Sequence, residues 1–312
     1  MLRPRNLLLV SKAPYLFQPL QVLRRLRLGY LWRSKTDVSI TLPWGLPIKI
    51  DPNEAIGHNI ACHNIYDLCV TETLWRLTEP GDLTIDVGAN IGYTASILGI
   101  RVGPTGTVIC FEPHPQVFES LRQNVEIWGK DPKCGSFVLH QAALGMKDGQ
   151  ALLHTNELFQ TNRGTAWISD AVEHSAGLQV IEVPILNLDR LLGEGVTIGV
   201  LKLDAEGHEL DILQGMARIL KRRGVRDLVF EERSAFPALT HDYLKSLGYS
   251  IFGLEESFAG VHCLPETQPS FDPVSGPIPN YLATVDANRA TVRLKPAMWQ
   301  SFGIGRLLPR KF

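Results

Sequence analysis

Two patterns of apolar residues alternate along this chain. Short continuous runs stand at 83–88, 107–112, 136–143, 198–203 and 227–231. They are too short for buried helices and rich in β-branched residues, so each predicts a buried strand. Between them, apolar positions recur at helical spacing over 91–101, 115–128, 209–221 and 240–247. An earlier helix is predicted over 66–77, where Leu68, Val70, Leu74 and Leu77 keep the spacing and Pro80-Gly81 ends it. Strands near 249–254 and 281–286 are expected to close the sheet, and 151–155 and 179–184 read as further strands. Residues 40–42 and 48–50 suit a hairpin, and the Pro- and Gly-rich segment 255–280 suits a loop or lid. The alternation predicts an α/β fold with a doubly wound, mostly parallel sheet and helices on both faces.

The first of these strands opens into Asp86-x-Gly88-x-Asn90-x-Gly92, a helix follows, and the next strand ends on Glu112. Strand, glycine loop, helix, strand and carboxylate in that order describe a nucleoside site. Glycines let the backbone approach a ligand, the helix start offers free N–H groups, and the carboxylate accepts both ribose hydroxyls. Asp86 would orient the loop, and Asn90 tolerates a left-handed backbone or donates its amide to a ligand carboxylate. The loop lacks the G-x-G-x-x-G spacing of a dinucleotide site, and no Tyr-x-x-x-Lys occurs, which argues against an NAD-linked oxidoreductase. No Gly-Lys-Ser/Thr follows, so a P-loop is excluded. An ordinary strand–glycine–helix turn is the competing account.

Further blocks follow in order. Glu112-Pro113-His114-Pro115 leads to Val117-Phe118-x-x-Leu121-x-x-Asn124, then Gln141-Ala142-Ala143-Leu144-Gly145. Leu201-Lys202-Leu203-Asp204-Ala205-Glu206-Gly207-His208-Glu209 runs into Ile212-Leu213-x-Gly215. Together with Asp86-Val-Gly-Ala-Asn-x-Gly92, these segments resemble the FkbM family of S-adenosylmethionine-dependent O-methyltransferases, over about residues 65–255. The resemblance implies a class I, Rossmann-like methyltransferase domain and methyl transfer to a hydroxyl, often on a sugar or natural-product scaffold. S-adenosyl-L-methionine is the implied cofactor, its methionine part over the backbone at Gly88 and Gly92 and its adenine near Gln141 and Ala142.

Asp204 ends the fourth strand, beside the expected position of the transferred methyl group. Transfer to an alcohol is an in-line displacement that needs positioning and a proton acceptor. Asp204 or Glu206 can accept the proton or hold a divalent metal, and His208 is a third candidate base. The alternative is that Glu206 to Glu209 simply starts a helix, where acids favour the positive dipole end. Of Glu231 and Glu232, one is expected to face the site and the other solvent. His140 reads as a packed histidine, and His114 either touches the adenosine or lies on the surface between two prolines. Asn156, Asn162, Arg163 and Trp167 could bind a sugar or form a plain surface excursion.

Composition narrows the picture. A chain of 312 residues with 45% hydrophobic content can bury one α/β core with extensions. We divide it into a basic extension over 1–64 with a possible hairpin, a methyltransferase domain over 65–290 and a basic tail over 291–312. Net charge of −1 gives no reason to expect a nucleic-acid partner, so the expected partner is a hydroxylated small-molecule or glycan acceptor. Five scattered cysteines without C-x-x-C suit a reducing cytoplasm rather than a disulfide framework or zinc site. Residues 1–36 carry Arg3, Arg5, Lys12, Arg24, Arg25, Arg27, Arg33 and Lys35 and no acid, interleaved with leucines. Such an arm can lie on an anionic membrane or form a solvated or packed extension. A non-catalytic cofactor-fold scaffold recruited to a membrane by this arm is the competing function.

Overall fold

The computed structural model describes residues 37–155, 159, 166–169, 179–233, 238–257, 260–265, 279–295 and 298–302. The basic arm over 1–36 lies outside them, as do Asn156, Asn162, Arg163 and most of the 255–280 segment.

The expected hairpin forms: β1 (Val38–Thr41) pairs antiparallel with β2 (Pro47–Ile50). Two helices follow, α1 (Ala55–His63) and α2 (Leu68–Leu77). Helix α1 escaped the pattern reading because it follows a proline-rich stretch. Its Glu54 cap accepts from the Gly57 N–H and supplies the start signal locally. Next come β3 (Leu83–Val87), α3 (Tyr93–Val102), β4 (Thr107–Phe111), α4 (Pro115–Trp128) and β5 (Ser136–His140). The run expected as one strand over 136–143 is two. The chain turns at Gln141-Ala142, and β6 (Ala143–Leu144) leaves the main sheet to pair with β9 (Gln179–Leu186). With β7 (Gly149–Thr155) and β8 (Trp167–Ser169) they form a second sheet in the order β6-β9-β7-β8.

After the short α5 (Leu188–Leu192) comes β10 (Ile198–Leu203). The single helix expected over 209–221 is α6 (Glu209–Gly215) and α7 (Ala217–Lys221), broken where Met216 leaves helical geometry at φ −115° and ψ 28°. Then follow β11 (Val225–Glu231), α8 (Leu239–Ser246), β12 (Ser250–Ser257), β13 (Gly260–Pro265), β14 (Asn280–Thr284) and α9 (Ala287–Arg293). Part of the segment expected as a loop from 255 is strand instead. Residues 252–257 and 260–265 pair as an antiparallel ladder, which satisfies their backbone groups despite Glu255 and Glu256.

The main sheet has eight strands in the order β13-β12-β14-β11-β10-β3-β4-β5. Its β11-β10-β3-β4-β5 part is parallel, and β14, β12 and β13 extend it antiparallel. Successive strand residues point to opposite faces, so the sheet separates two cores. Val108, Val200 and Val229 pack with α1 to α4 and the hairpin. Ile109, Leu201 and Phe230 pack with α6 to α8. Buried Asn124 ties α4 to the hairpin. Its side-chain oxygen accepts from the Lys49 N–H at 2.7 Å, and its amide donates to the carbonyls of Lys49 and Ile91 at 3.1 and 2.9 Å. Past α9 the chain also belongs to the core: Trp299 is buried, and Glu72 accepts from the backbone N–H of Gln300 and Ser301. Among the described residues, no helix is long and apolar enough to cross a membrane.

Candidate active site

The parallel strands β3, β4, β10 and β11 all end at one side of the sheet, where ligands of open α/β folds bind. A cavity of about 680 Å³ lies there, and the second sheet closes part of it with Leu144 and Leu153. Gly88, Asn90, Glu112, Ala142, Asp204 and Glu206 all line it. Sequence reading singled out each of these six. It did not single out Tyr66, Asp67, Lys202, Arg233 and Asn280, which line the same cavity.

The glycine loop is fixed from below. The N–H groups of Gly88 and Ala89 both donate to the Phe111 carbonyl at 3.0 Å, which binds the loop to the end of β4. Gly88 has φ +70°, and a Cβ there would stand 2.1 Å from the Asp204 carbonyl oxygen. Only glycine lets the two strand ends approach so closely. Asn90 is left-handed at φ 49° and accepts from the Ile91 N–H through its side-chain oxygen. Gly92 serves packing instead. A Cβ there would meet Leu121 at 2.8 Å and Trp128 at 2.9 Å, so this glycine admits α4 rather than lining the cavity.

Glu112 sits just past β4 and is 7% exposed. One carboxylate oxygen accepts from the Asn90 N–H at 3.0 Å and the other from the His114 N–H at 2.9 Å. Burial nevertheless pushes its pKa up to about 7, against the pull of those two N–H groups. Asp86 is fully buried beneath the loop. It accepts from the Thr94 hydroxyl at 2.6 Å and faces the Lys202 ammonium at 3.4 Å. Burial raises the Asp86 pKa, partly offset by Lys202.

At the other end of the cavity, carboxylates gather. Asp204 follows β10, Glu206 lies in the next loop at φ 53°, Glu231 ends β11, and Asp67 caps α2 through the Val70 N–H. Burial and the Asp204 charge raise Glu206 to about 7, although Arg233 pairs with it. Burial, Asp204 and Asp67 raise Glu231 to about 8. Glu209 turns back into the loop and accepts from the N–H groups of Ala205 and Gly207, so its role is to shape the turn. Among the described residues, no group of three or more His, Cys, Asp or Glu side chains is placed to hold a metal ion.

Other expected residues lie apart. Gln141 is exposed at the turn after β5, and His208 faces Asp211 at 3.6 Å; neither lines the cavity. Glu231 faces the cavity as expected of one of the pair. Glu232, expected in solvent, is buried and accepts from the Thr240 hydroxyl, which supplies the partner a buried carboxylate needs. His114 is neither on the surface nor in the cavity lining, but buried against Phe159 at 4.3 Å. His140 stacks on Phe111 at 4.9 Å. Lys202 gave a signal that was overlooked: a lone cation inside an otherwise apolar strand.

Residues 86–251, more than half of the chain, match the family model of the methyltransferase FkbM domain. The chain is 27% identical over 154 residues to the hexuronic acid methyltransferase AglP of Haloferax volcanii, covering 49% of this chain and 57% of that protein. It is 26% identical over 208 residues to a protein-L-isoaspartate O-methyltransferase of Triticum aestivum, covering 64% and 81%. A solved methyltransferase FkbM from Methylobacillus flagellatus aligns at 16% identity and TM-score 0.41, covering 72% of this chain and 52% of that one. The chain thus spans little more than half the length of the first of these relatives.

Proposed function

The chain belongs to the FkbM methyltransferase family, and from that premise we propose that it transfers a methyl group from S-adenosyl-L-methionine to a hydroxyl of a small molecule, sugar or glycan. The carrying observation is that one cavity joins a ribose-type carboxylate, Glu112, to a second carboxylate group at Asp204, Glu206 and Glu231. The residues present fit the cofactor. The backbone from Gly88 to Asn90 lines the cavity, and buried Glu112 keeps acceptor capacity beyond its two backbone bonds. Glu112 would take the ribose hydroxyls, and the backbone from Gly88 to Asn90 the amino-acid part. When bound, the cofactor supplies an electrophilic methyl group on a sulfonium.

The chain's own groups do the rest. Asp204 orients the attacking hydroxyl by accepting its hydrogen bond, which supplies the positioning that dominates an in-line displacement. The proton leaving that oxygen passes to the carboxylate group. Glu206 and Glu231 suit this because their raised proton affinities lie near neutral pH. Apolar walls at Leu144, Leu153 and Val229 exclude water from the reacting centre. Two relatives' names, a hexuronic acid methyltransferase and an O-methyltransferase, support an oxygen acceptor.

Asp204→Asn tests the assignment. It should bind S-adenosyl-L-methionine with nearly native affinity and slow transfer by about 10²-fold, the scale of lost positioning. Mass spectrometry of hydroxylated acceptors for a gain of one CH₂ provides the readout. Full turnover in the variant would remove Asp204 from the reaction.

A further inference from the structure

Lys202 stands in β10 among Val200, Leu201 and Leu203, and its side chain is 9% exposed. Its register partner on β3 is Asp86, so the two side chains lie side by side on one face of the sheet. Taking an ammonium out of water costs several kcal/mol unless fixed acceptors replace the water. Four do. Nζ donates to the carbonyls of Gly88 at 2.9 Å and Val87 at 3.1 Å, and lies 3.4 Å from both Asp86 Oδ1 and Asp204 Oδ2. Burial alone would lower the proton affinity of Lys202, but Asp204, Asp86 and Glu231 raise it above the ordinary lysine value, so the group is charged.

A purely structural pair would need only Asp86. This ammonium instead spans two places: the first carbonyls of the glycine loop and the carboxylate beyond its own strand. We propose that Lys202 is a positioning residue that fastens the glycine loop to Asp204 and supplies the counter-charge for that carboxylate. The consequence for catalysis rests on the methyl transfer proposed above; the geometry does not.

Asp204 needs such a counter-charge. Acting on the same cluster are Glu206 and Glu209 from the following loop and helix, Glu231 from β11, and Tyr66 and Asp67 from the start of α2. Arg233 is the other cation lining this end among the described residues, and Glu206 engages it. Without Lys202, Asp204 would face mainly like charges, with no cation beside it to hold its carboxylate in place. The Gly88 and Val87 carbonyls would also lose their shared donor, loosening the loop under the cofactor.

The test uses the full chain and compares wild type, Lys202→Met and the double variant Lys202→Met/Asp86→Asn. The double variant removes both members of the buried pair, so it keeps the test open if the single variant fails to fold. We expect amide hydrogen exchange at Gly88 and Ala89 to quicken about tenfold and S-adenosyl-L-methionine affinity to fall about tenfold, as for a lost charge-assisted donor. Native exchange and native affinity in the folded double variant overturn the proposal. Where wild type turns over, kcat at saturating cofactor should fall about tenfold or more, beyond the loss of affinity; a variant that keeps full kcat also overturns it. A wild type that methylates no hydroxylated acceptor counts against the function above, and exchange and affinity still decide the role of Lys202.

Discussion

Glu112 is held by opposing demands, burial favouring its neutral form and two backbone N–H groups its charged one. Ribose hydroxyls would add donors and shift the balance toward the carboxylate. Affinity for S-adenosyl-L-methionine should therefore be greatest above about pH 7 and weaken as pH falls through that value, measured by titration calorimetry. Glu112→Ala should cost about 1–3 kcal/mol of binding, the usual loss for hydrogen bonds to a charged group. Unchanged affinity in a folded variant would remove Glu112 from the cofactor site. Residues such as Gly88, Asn90 and Glu112 were legible because glycines and carboxylates at the ends of apolar runs have few other reasons to be there. Gly92 was legible as a glycine but not in its role, since the crowding by Leu121 and Trp128 comes from a helix some 30 residues on. Lys202 was hidden by its surroundings: strand periodicity records a charged position there only as an interruption.

At the level of elements, burial decided what could be read. The central strands β3, β4, β10 and β11 are apolar because both faces are covered, and their positions follow from composition alone. Strands β7 and β9 were read from the sequence, but not that they form a separate sheet: their partners β6 and β8 are two and three residues long and carry no pattern of their own. The division between β5 and β6 falls at the polar pair His140-Gln141, within a stretch read as one strand, and is set by which sheet each half pairs with. Asn124 shows how elements are joined by single polar side chains. Asn124→Ala would leave the Lys49 N–H and two carbonyls without their partner between α4, the hairpin and the loop before α3. Denaturant unfolding should show a loss of about 2–4 kcal/mol, from more than one buried group left unsatisfied. A loss under about 0.5 kcal/mol, the scale of ordinary surface substitutions, would contradict this joint.

Across the whole molecule, the cavity imposes a cost that pH should reveal. Glu112, Glu206 and Glu231 have pKa values of about 7, about 7 and about 8, against an ordinary 4.5. Between 4.5 and about 8 the folded protein binds these protons more tightly than the unfolded chain, so their contribution to stability is fully present below 4.5 and is lost as pH rises through that window. The melting temperature of the ligand-free protein should fall from about pH 5 to about pH 8, and Glu231→Gln should fall less steeply. Identical slopes would show that Glu231 titrates normally. The same acidic end, joined to the glycine loop through Lys202, forms the half of the cavity proposed for the hydroxyl, and the loop with Glu112 the half proposed for the nucleoside. The most direct test is calorimetric titration of the full chain with S-adenosyl-L-methionine, S-adenosylhomocysteine and NADH. We expect micromolar binding of the two sulfur nucleosides and none of NADH; binding of NADH, or of none of the three, would overturn the assignment of this cavity to a methyl donor.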